Sequence, residues 1–411
     1  MFLPLCIGFI LYALIFTPFN ELFAGLVAII TGPDILVTDY IYIGGLGAAF
    51  LNAGITGLLT IAILAIVRPQ ITGVTIAILW LAVGFAFFGK NPVNMFPIIL
   101  GGILWAIFSC DSIKTVINPV LMGTTLAPAV SQAARIPEMP PWGVLGIALA
   151  VGLLIGFFIT PISIFLRKIQ EGYNLYPVGF AAGIMALFIM GFYRNLGLDF
   201  PVLGYWSYGH NRVLVVLLSL ISVYFIVLGA IAKSKSQHSF KELLHMKAED
   251  KLDFWSPYRE CAYFSMGVNG LLLSVLVVLV GGDLTGPTIG GIFTVVGFCA
   301  FGKRLLDIWP VLVGAILAAI LRYLAFGTYL NDNLIILTLL FATCLAPVTR
   351  DFGFKWGIIA GFLHLSLATS AAHLHGGMNL YNNGFTGGLV AMVLLPIIRA
   401  MRCRKERNRE A

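Results

Sequence analysis

The sequence predicts an all-α integral membrane protein. It has two inverted-topology repeats of about six apolar segments each, some short or broken, with one helix before them and another joining them. Three observations lead there. First, 59% of the 411 residues are hydrophobic and 10% charged, with a mean hydropathy of +0.97. A soluble domain carries about 25% charged residues, so this chain cannot cover a water-facing surface of its size. Its apolar stretches are long rather than alternating, which excludes an outer-membrane barrel. Second, the chain repeats itself. Third, a single extra apolar helix lies between the copies.

The region 1–40 opens with an apolar helix near 3–18, followed by a broken piece from Pro18 to Ile30. "MFLPLC" lacks the basic start and apolar stretch of a signal peptide, so this segment is expected to stay as a helix. The first repeat, 41–195, has apolar segments near 41–66, 74–88, 95–109, 118–131, 142–166 and 178–193. Residues 196–258 hold the joining helix "VLVVLLSLISVYFIVLGAIA" (213–232) and a Lys-rich linker bearing Trp255 and Phe254. The second repeat, 259–400, has segments near 260–280, 288–301, 309–326, 334–346, 356–373 and 384–400, before a basic tail at 401–411.

Four landmarks recur in order. "TGVTIAILWLAVGFAFFGK" (72–90) aligns without a gap to "TGPTIGGIFTVVGFCAFGK" (285–303), identical at ten of nineteen positions. The same register pairs Gly54 with Gly267, Gly57 with Gly270 and Gly101 with Gly314. "TTLAP" (124–128) matches "TCLAP" (343–347), and "GYNLYPVGFAAG" (172–183) matches "GMNLYNNGFTGG" (377–388). Such self-similarity marks a duplication.

Six crossings return a chain to its starting face, so one joining helix makes the second copy begin on the other. The basic linker 233–258 and the basic tail then both belong on the cytoplasmic side, with the linker lying partly along the membrane surface. Lys303, Arg304, Arg350, Lys355, Arg68, Lys114, Arg167 and Lys168 fall inside, whereas Lys90, Arg135 and Arg194 fall outside. The net charge of +7 reads as this cytoplasmic bias and not as a nucleic-acid footprint. The six cysteines are scattered without a CxxC pair, so no disulfide framework is expected.

Segments 74–88, 118–131, 288–301 and 334–346 are shorter than the roughly 20 residues a spanning helix needs. Short, Gly/Pro-interrupted segments at matching places in two halves point to a transporter's binding site. Asn174, Tyr176, Asn379, Tyr381 and Asn383, in the doubled phrase before an apolar segment, are the candidate substrate-binding residues. Asn at such a break supplies an amide, Tyr a hydroxyl, and the following helix start free N–H groups. Asn174 and Asn379 are expected to face each other near the bilayer midplane. Thr72, Thr75, Thr285 and Thr288 are expected to cap half-helices or lend oxygens to an ion. Arg322, whose counterpart is Ser109, is a candidate counter-charge for an anion or a snorkelling arginine. His364, His373 and His375 are not spaced as metal ligands, and no cofactor or metal is expected. Walker, GxSxG and HExxH motifs and paired intramembrane carboxylates are missing, so an enzyme is not expected.

The repeated "NLYxxGFxxG" phrase and the "TGxTI…GFxxFGK" blocks resemble the uncharacterised bacterial multi-pass membrane family catalogued as domain of unknown function 1576. That resemblance covers most of the chain and implies no substrate. The inverted halves with Asn-bearing half-helices are also similar in architecture to urea-transporter and aquaporin channels, although their signature sequences are absent. The expectation is a secondary transporter of the bacterial inner membrane for a small polar or anionic solute, coupled to Na⁺ or H⁺. Its expected partners are lipids, solute and, as an option, further copies of itself. The alternatives are a passive channel for a small neutral solute and, from another class, a membrane-embedded enzyme or assembly factor.

Overall fold

A computed structural model describes residues 2–34, 37–137, 139–200, 204–233, 253–256 and 258–410. Among them every element is helical, apart from two isolated bridges, Thr38–Tyr205 and Asp253–Phe301. Helices α1 (Phe2–Phe16) and α2 (Phe19–Thr31) are separated at Pro18, which cannot donate to the preceding turn. The first half continues through α3 (Tyr40–Val67), α4 (Gly73–Phe85), α5 (Pro92–Ser109), α6 (Ile113–Gly123), α7 (Ala127–Ala133), α8 (Pro141–Gln170) and α9 (Pro177–Asn195). After α10 (Asn211–Lys233), the second half repeats the series. Its helices are α11 (Arg259–Leu279), α12 (Gly286–Phe298), α13 (Leu305–Phe326), α14 (Asn333–Ala342), α15 (Ala346–Phe352), α16 (Phe354–Leu374) and α17 (Asn382–Glu410). By length and composition, eleven helical segments among the described residues can cross a membrane, so this is an all-α multi-pass membrane protein. Of the expected surface linker 233–258, residues 234–252 and 257 lie outside the described residues.

The doubled glycines show that the duplication is structural. A Cβ on Gly156 would collide with the Ile98 carbonyl, and one on Gly361 with the Val311 carbonyl. These are the same contact in each half, where α8 crosses α5 and α16 crosses α13. The joining helix also has a counterpart. Gly54 and Gly57 of α3 pack on Ile10 and Cys6 of α1, just as Gly267 and Gly270 of α11 pack on Ile226 and Ser222 of α10. The helix read from the sequence as a lone joiner is thus the opening helix of the second copy, equivalent to α1.

At the centre α4 and α12 lie side by side and antiparallel. Thirteen residues make each about 20 Å long, short of a 30 Å hydrocarbon core. Their contacts are reciprocal: Gly84 approaches Phe293 and Gly290, and Gly297 approaches Trp80 and Ala77. A self-complementary pattern of this kind requires a two-fold axis between the helices. Glycine is needed where they touch, because a Cβ on Gly297 would stand 2.7 Å from the Trp80 Cβ.

Helix ends buried in such a core need partners for their free N–H groups. Each half supplies an aspartate to the other. Asp39 Oδ1 accepts from Gly286 N (3.2 Å) and Ile41 N (2.9 Å), while its Oδ2 accepts from Ser207 N (3.0 Å) and Oγ (2.5 Å). Asp253 Oδ1 accepts from Gly73 N (2.9 Å) and Trp255 N (3.0 Å). Tyr40 N then donates to Phe87 O (2.9 Å) and Phe254 N to Ala300 O (3.1 Å). Thr72/Thr75 and Thr285/Thr288 close capping boxes at the same two helix starts.

Losing one helix cap costs about 0.5–2 kcal/mol. Asp39 is fully buried and serves four donors, so Asp39→Ala is expected to destabilise by about 2 kcal/mol or more. The check is the unfolding midpoint of the detergent-purified chain. Gly8→Ala, in open space inside α1, is the control and should leave it unchanged or raise it.

Candidate functional site

The doubled phrase forms two matching turns at the axis. Gly172 (φ +81°) and Gly377 (φ +71°) take the left-handed backbone that ends the preceding helix. Asn174 Oδ1 then accepts from Tyr176 N (3.0 Å), and Asn379 Oδ1 from Tyr381 N (2.9 Å), which are Asx-turns. The intervening N–H groups cross between the halves: Leu175 N donates to Cys344 O (3.0 Å) and Leu380 N to Thr125 O (3.1 Å). Both carbonyls sit in 3₁₀ breaks, Thr124–Leu126 and Thr343–Leu345, inside the "TTLAP" and "TCLAP" segments. Asn174 Nδ2 reaches across to Gly384 O (3.1 Å), whereas the buried Asn379 Nδ2 has no partner among the described residues.

The residues that meet face to face are the tyrosines. Tyr176 and Tyr381 are fully buried and stacked, with ring centroids 4.5 Å apart and planes 29° from parallel. Beyond them α9 and α17 cross antiparallel at Gly179 and Gly384, with Gly183 against Phe385 and Gly388 against Phe180. The far ends are tied the same way: Arg194 donates to His373 O (3.0 Å) and Arg399 pairs with Glu171. Hydrogen bonds from Arg399 hold the Glu171 carboxyl below the usual range. That pair is exposed, so it is worth under about 1 kcal/mol.

Two lysines complete the centre, and here the structure corrects the sequence reading. Lys90 and Lys303 were expected in loops on opposite faces, yet they are 1% and 0% exposed, in the turns that follow α4 and α12. Lys303 Nζ donates to Tyr176 Oη and to Thr343 Oγ1 (2.8 Å), and lies over the Tyr176 and Phe298 rings at 4.6 and 5.3 Å. Lys90 Nζ lies 5.4 Å from the Phe85 centroid and has no hydrogen bond or ion pair among the described residues. Closing the phrase "GFxxFGK" twice was their signal in the sequence.

Two cavities flank this centre, and they are counterparts. The larger, about 290 Å³, is lined by Asn118, Pro119, Ser163, Arg167, Pro177 and Val178, with Thr72, Phe298 and Phe301. The smaller, about 120 Å³, is lined by Leu337, Thr338, Ala368, Ala372, Asn382 and Asn383, with Arg322 and Asp332. The first six of each set occupy equivalent positions of the two halves, so each cavity runs to the start of α9 or α17. A larger groove of about 490 Å³ lies off the axis between α1, α3 and Trp255 and is mostly apolar.

The sequence-predicted residues are therefore divided. Arg322 and Asn383 line the small cavity and Thr72 the large one; Thr75 faces the off-axis groove; Thr285 and Thr288 are buried in their capping box. Asn174, Asn379, Tyr176 and Tyr381 build the axis and line neither cavity. His364 Nε2 meets Asn383 O (3.1 Å) and His375 Nδ1 meets Asn382 Oδ1 (2.7 Å). Sequence reasoning missed Asp34, a fully buried carboxylate that accepts from Tyr40 Oη (2.8 Å), Asn94 Nδ2 (3.0 Å) and Ser131 Oγ (2.6 Å). Asn94 Nδ2 also donates to Gly89 O (3.1 Å), next to Lys90.

A family model described as a protein of unknown function (DUF1576) matches residues 19–195 and 232–400. No curated protein and no solved structure matches the chain.

The unequal cavities predict unequal access. In a background without native cysteines, Ser163→Cys is expected to react with a small water-soluble thiol reagent several-fold faster than Ala368→Cys. Equal rates would mean that the difference in size does not govern entry.

Proposed function

For a chain that belongs to the DUF1576 family, whose model covers most of both halves, we propose a secondary transporter that carries a small polar or anionic solute by alternating access. The observation that carries this reading is the pair of equivalent cavities of 290 and 120 Å³, one at the start of α9 and one at the start of α17, the two starts joined by the stacked Tyr176 and Tyr381. Antiparallel partners at the centre, α4 with α12 and α9 with α17, support a two-fold axis lying in the membrane plane. The halves are then inverted, and the cavities open to opposite sides. One backbone plan in two states of openness is what rocking of inverted repeats about a central site requires.

A passive channel is less well supported, because the two cavities share no lining residue and differ more than two-fold in volume. For the coupling ion, H⁺ or Na⁺, the buried carboxylate Asp34 is the best seat, since Asn94 links it to the turn that carries Lys90. The proposed setting is the bacterial inner membrane, with the basic end of α17 and the linker 233–258 in the cytoplasm.

Reconstitution tests the reading. Proteoliposomes are expected to accumulate solute only under a Na⁺ or pH gradient and to show counterflow when preloaded. Gly179→Leu, which would drive a side chain into Tyr381 and Gly384, should abolish uptake. Flux that saturates with neither gradient nor counterflow would favour the channel. Orientation has its own check: a cysteine at Ser236 should resist impermeant reagent applied outside intact cells, while one at Thr328 reacts.

A further inference from the structure

We infer that Lys90 and Lys303 are the two binding posts of a site for a small, singly charged anion, one post in each half, and that Lys90 is the post standing free. The inference deepens the transporter reading and rests on it for the anion's passage, though not for its binding.

The argument starts from what each ammonium has. Lys303 is satisfied by Tyr176 Oη and Thr343 Oγ1. The equivalent partners for Lys90 are Tyr381 and Thr124, and neither is engaged. The Thr124 hydroxyl donates to Leu121 O (2.6 Å), as Thr343 does to Leu340 O (2.7 Å), but among the described residues it accepts nothing from Lys90, and no bond joins Lys90 to Tyr381. A ring face 5.4 Å away is all that Lys90 finds among the described residues. An unpaired buried ammonium is costly, and a charge inside a membrane protein ordinarily faces a partner or a path. Neither lysine has a carboxylate within ion-pair distance among the described residues, so the missing partner is a mobile anion.

The surrounding side chains agree in sign. Each lysine follows the C-terminus of a short helix, whose dipole favours the ammonium and opposes an anion, so the attraction has to come from side chains. The large cavity has Arg167 on its wall and no acidic residue; the small one has Arg322 with a single carboxylate, Asp332. An anion entering either cavity therefore meets an arginine on its wall. Size is limited as well. Gly89, beside Lys90, packs closely on Leu380 and Pro128, so the anion inferred here is one no larger than a halide, nitrate or formate. On this assignment the anion takes the Tyr–Lys bond's place in one half, and the halves exchange roles when the cavities do.

The experiment uses the full chain in detergent, in sodium gluconate, titrated with sodium bromide, nitrate or formate. At least one probe should raise the unfolding midpoint saturably, since binding to the folded state stabilises it. Lys90→Met should lose that shift while unfolding, without probe, at or above the wild-type midpoint, because an unpaired buried charge has been removed. Lys90→Arg should keep part of it. Independently of any variant, bromide soaked into crystals of the wild type should give an anomalous peak within hydrogen-bonding distance of Lys90 Nζ. No saturable shift with any of the three probes, a wild-type response from Lys90→Met, or a bromide peak only elsewhere would each overturn the site. Saturable binding without uptake in proteoliposomes would overturn the transporter reading alone. Uptake of a solute with no anion response would overturn this site alone.

Discussion

Everything at the centre of this protein depends on two helix starts buried where water cannot reach them. Helices α4 and α12 are too short to begin at a membrane surface and end at the other, so their first N–H groups fall inside the protein. An unsatisfied amide there costs on the order of several kcal/mol. Asp39 and Asp253 answer that cost by crossing from one half to the start of the other half's helix. Each aspartate also holds its own chain two residues on, at Ile41 N and Trp255 N, so the halves cannot separate at this point without uncapping both short helices. The glycines at the α4–α12 contact and the Phe87 and Ala300 carbonyls that hold Tyr40 and Phe254 follow from the same antiparallel seating.

The same solution is used again one layer out. Two long segments are broken at Thr124–Leu126 and Thr343–Leu345, and a break frees carbonyls. Those carbonyls are met by Leu175 and Leu380 from the doubled phrase of the opposite half. The phrase is therefore polar because it must deliver N–H groups across the axis in a fixed turn, which Asn174 and Asn379 set. This gives the asparagines a structural duty first, and of the two it is Asn379 whose amide nitrogen is unclaimed among the described residues.

How much of this was legible in the sequence follows from what identity can record. Glycines, prolines and the Asn–Leu–Tyr turn survive duplication letter by letter, because a backbone contact or a left-handed φ admits few substitutes, so both halves and their segments could be read directly. The equivalence of α1 and α10 could not. Cys6 against Ser222 needs only a small side chain, and that constraint leaves no identity behind. The caps were hidden because Asp39 and Asp253 pair with residues more than 170 positions away. The lysines were misread for a different reason. Counting charges at segment ends assigns a side to each one but carries no depth, and a lysine in a buried turn looks like a lysine at a surface.

Depth is also where the two halves cease to be equal. Around the axis the equivalent positions carry Pro177 and Asn382, Val178 and Asn383, Arg167 and Ala372, Ser109 and Arg322. The backbone contacts that define the axis are kept, while the side chains that face the cavities have diverged. Such a division fits a protein whose frame must work in two equivalent arrangements while its two routes meet different solutions. In the transporter proposed above, symmetry in the frame would keep the two arrangements close in energy. Asymmetry in the walls would then let solute or a coupling ion tip the balance, since a ligand shifts an equilibrium only through its unequal affinity for the two states.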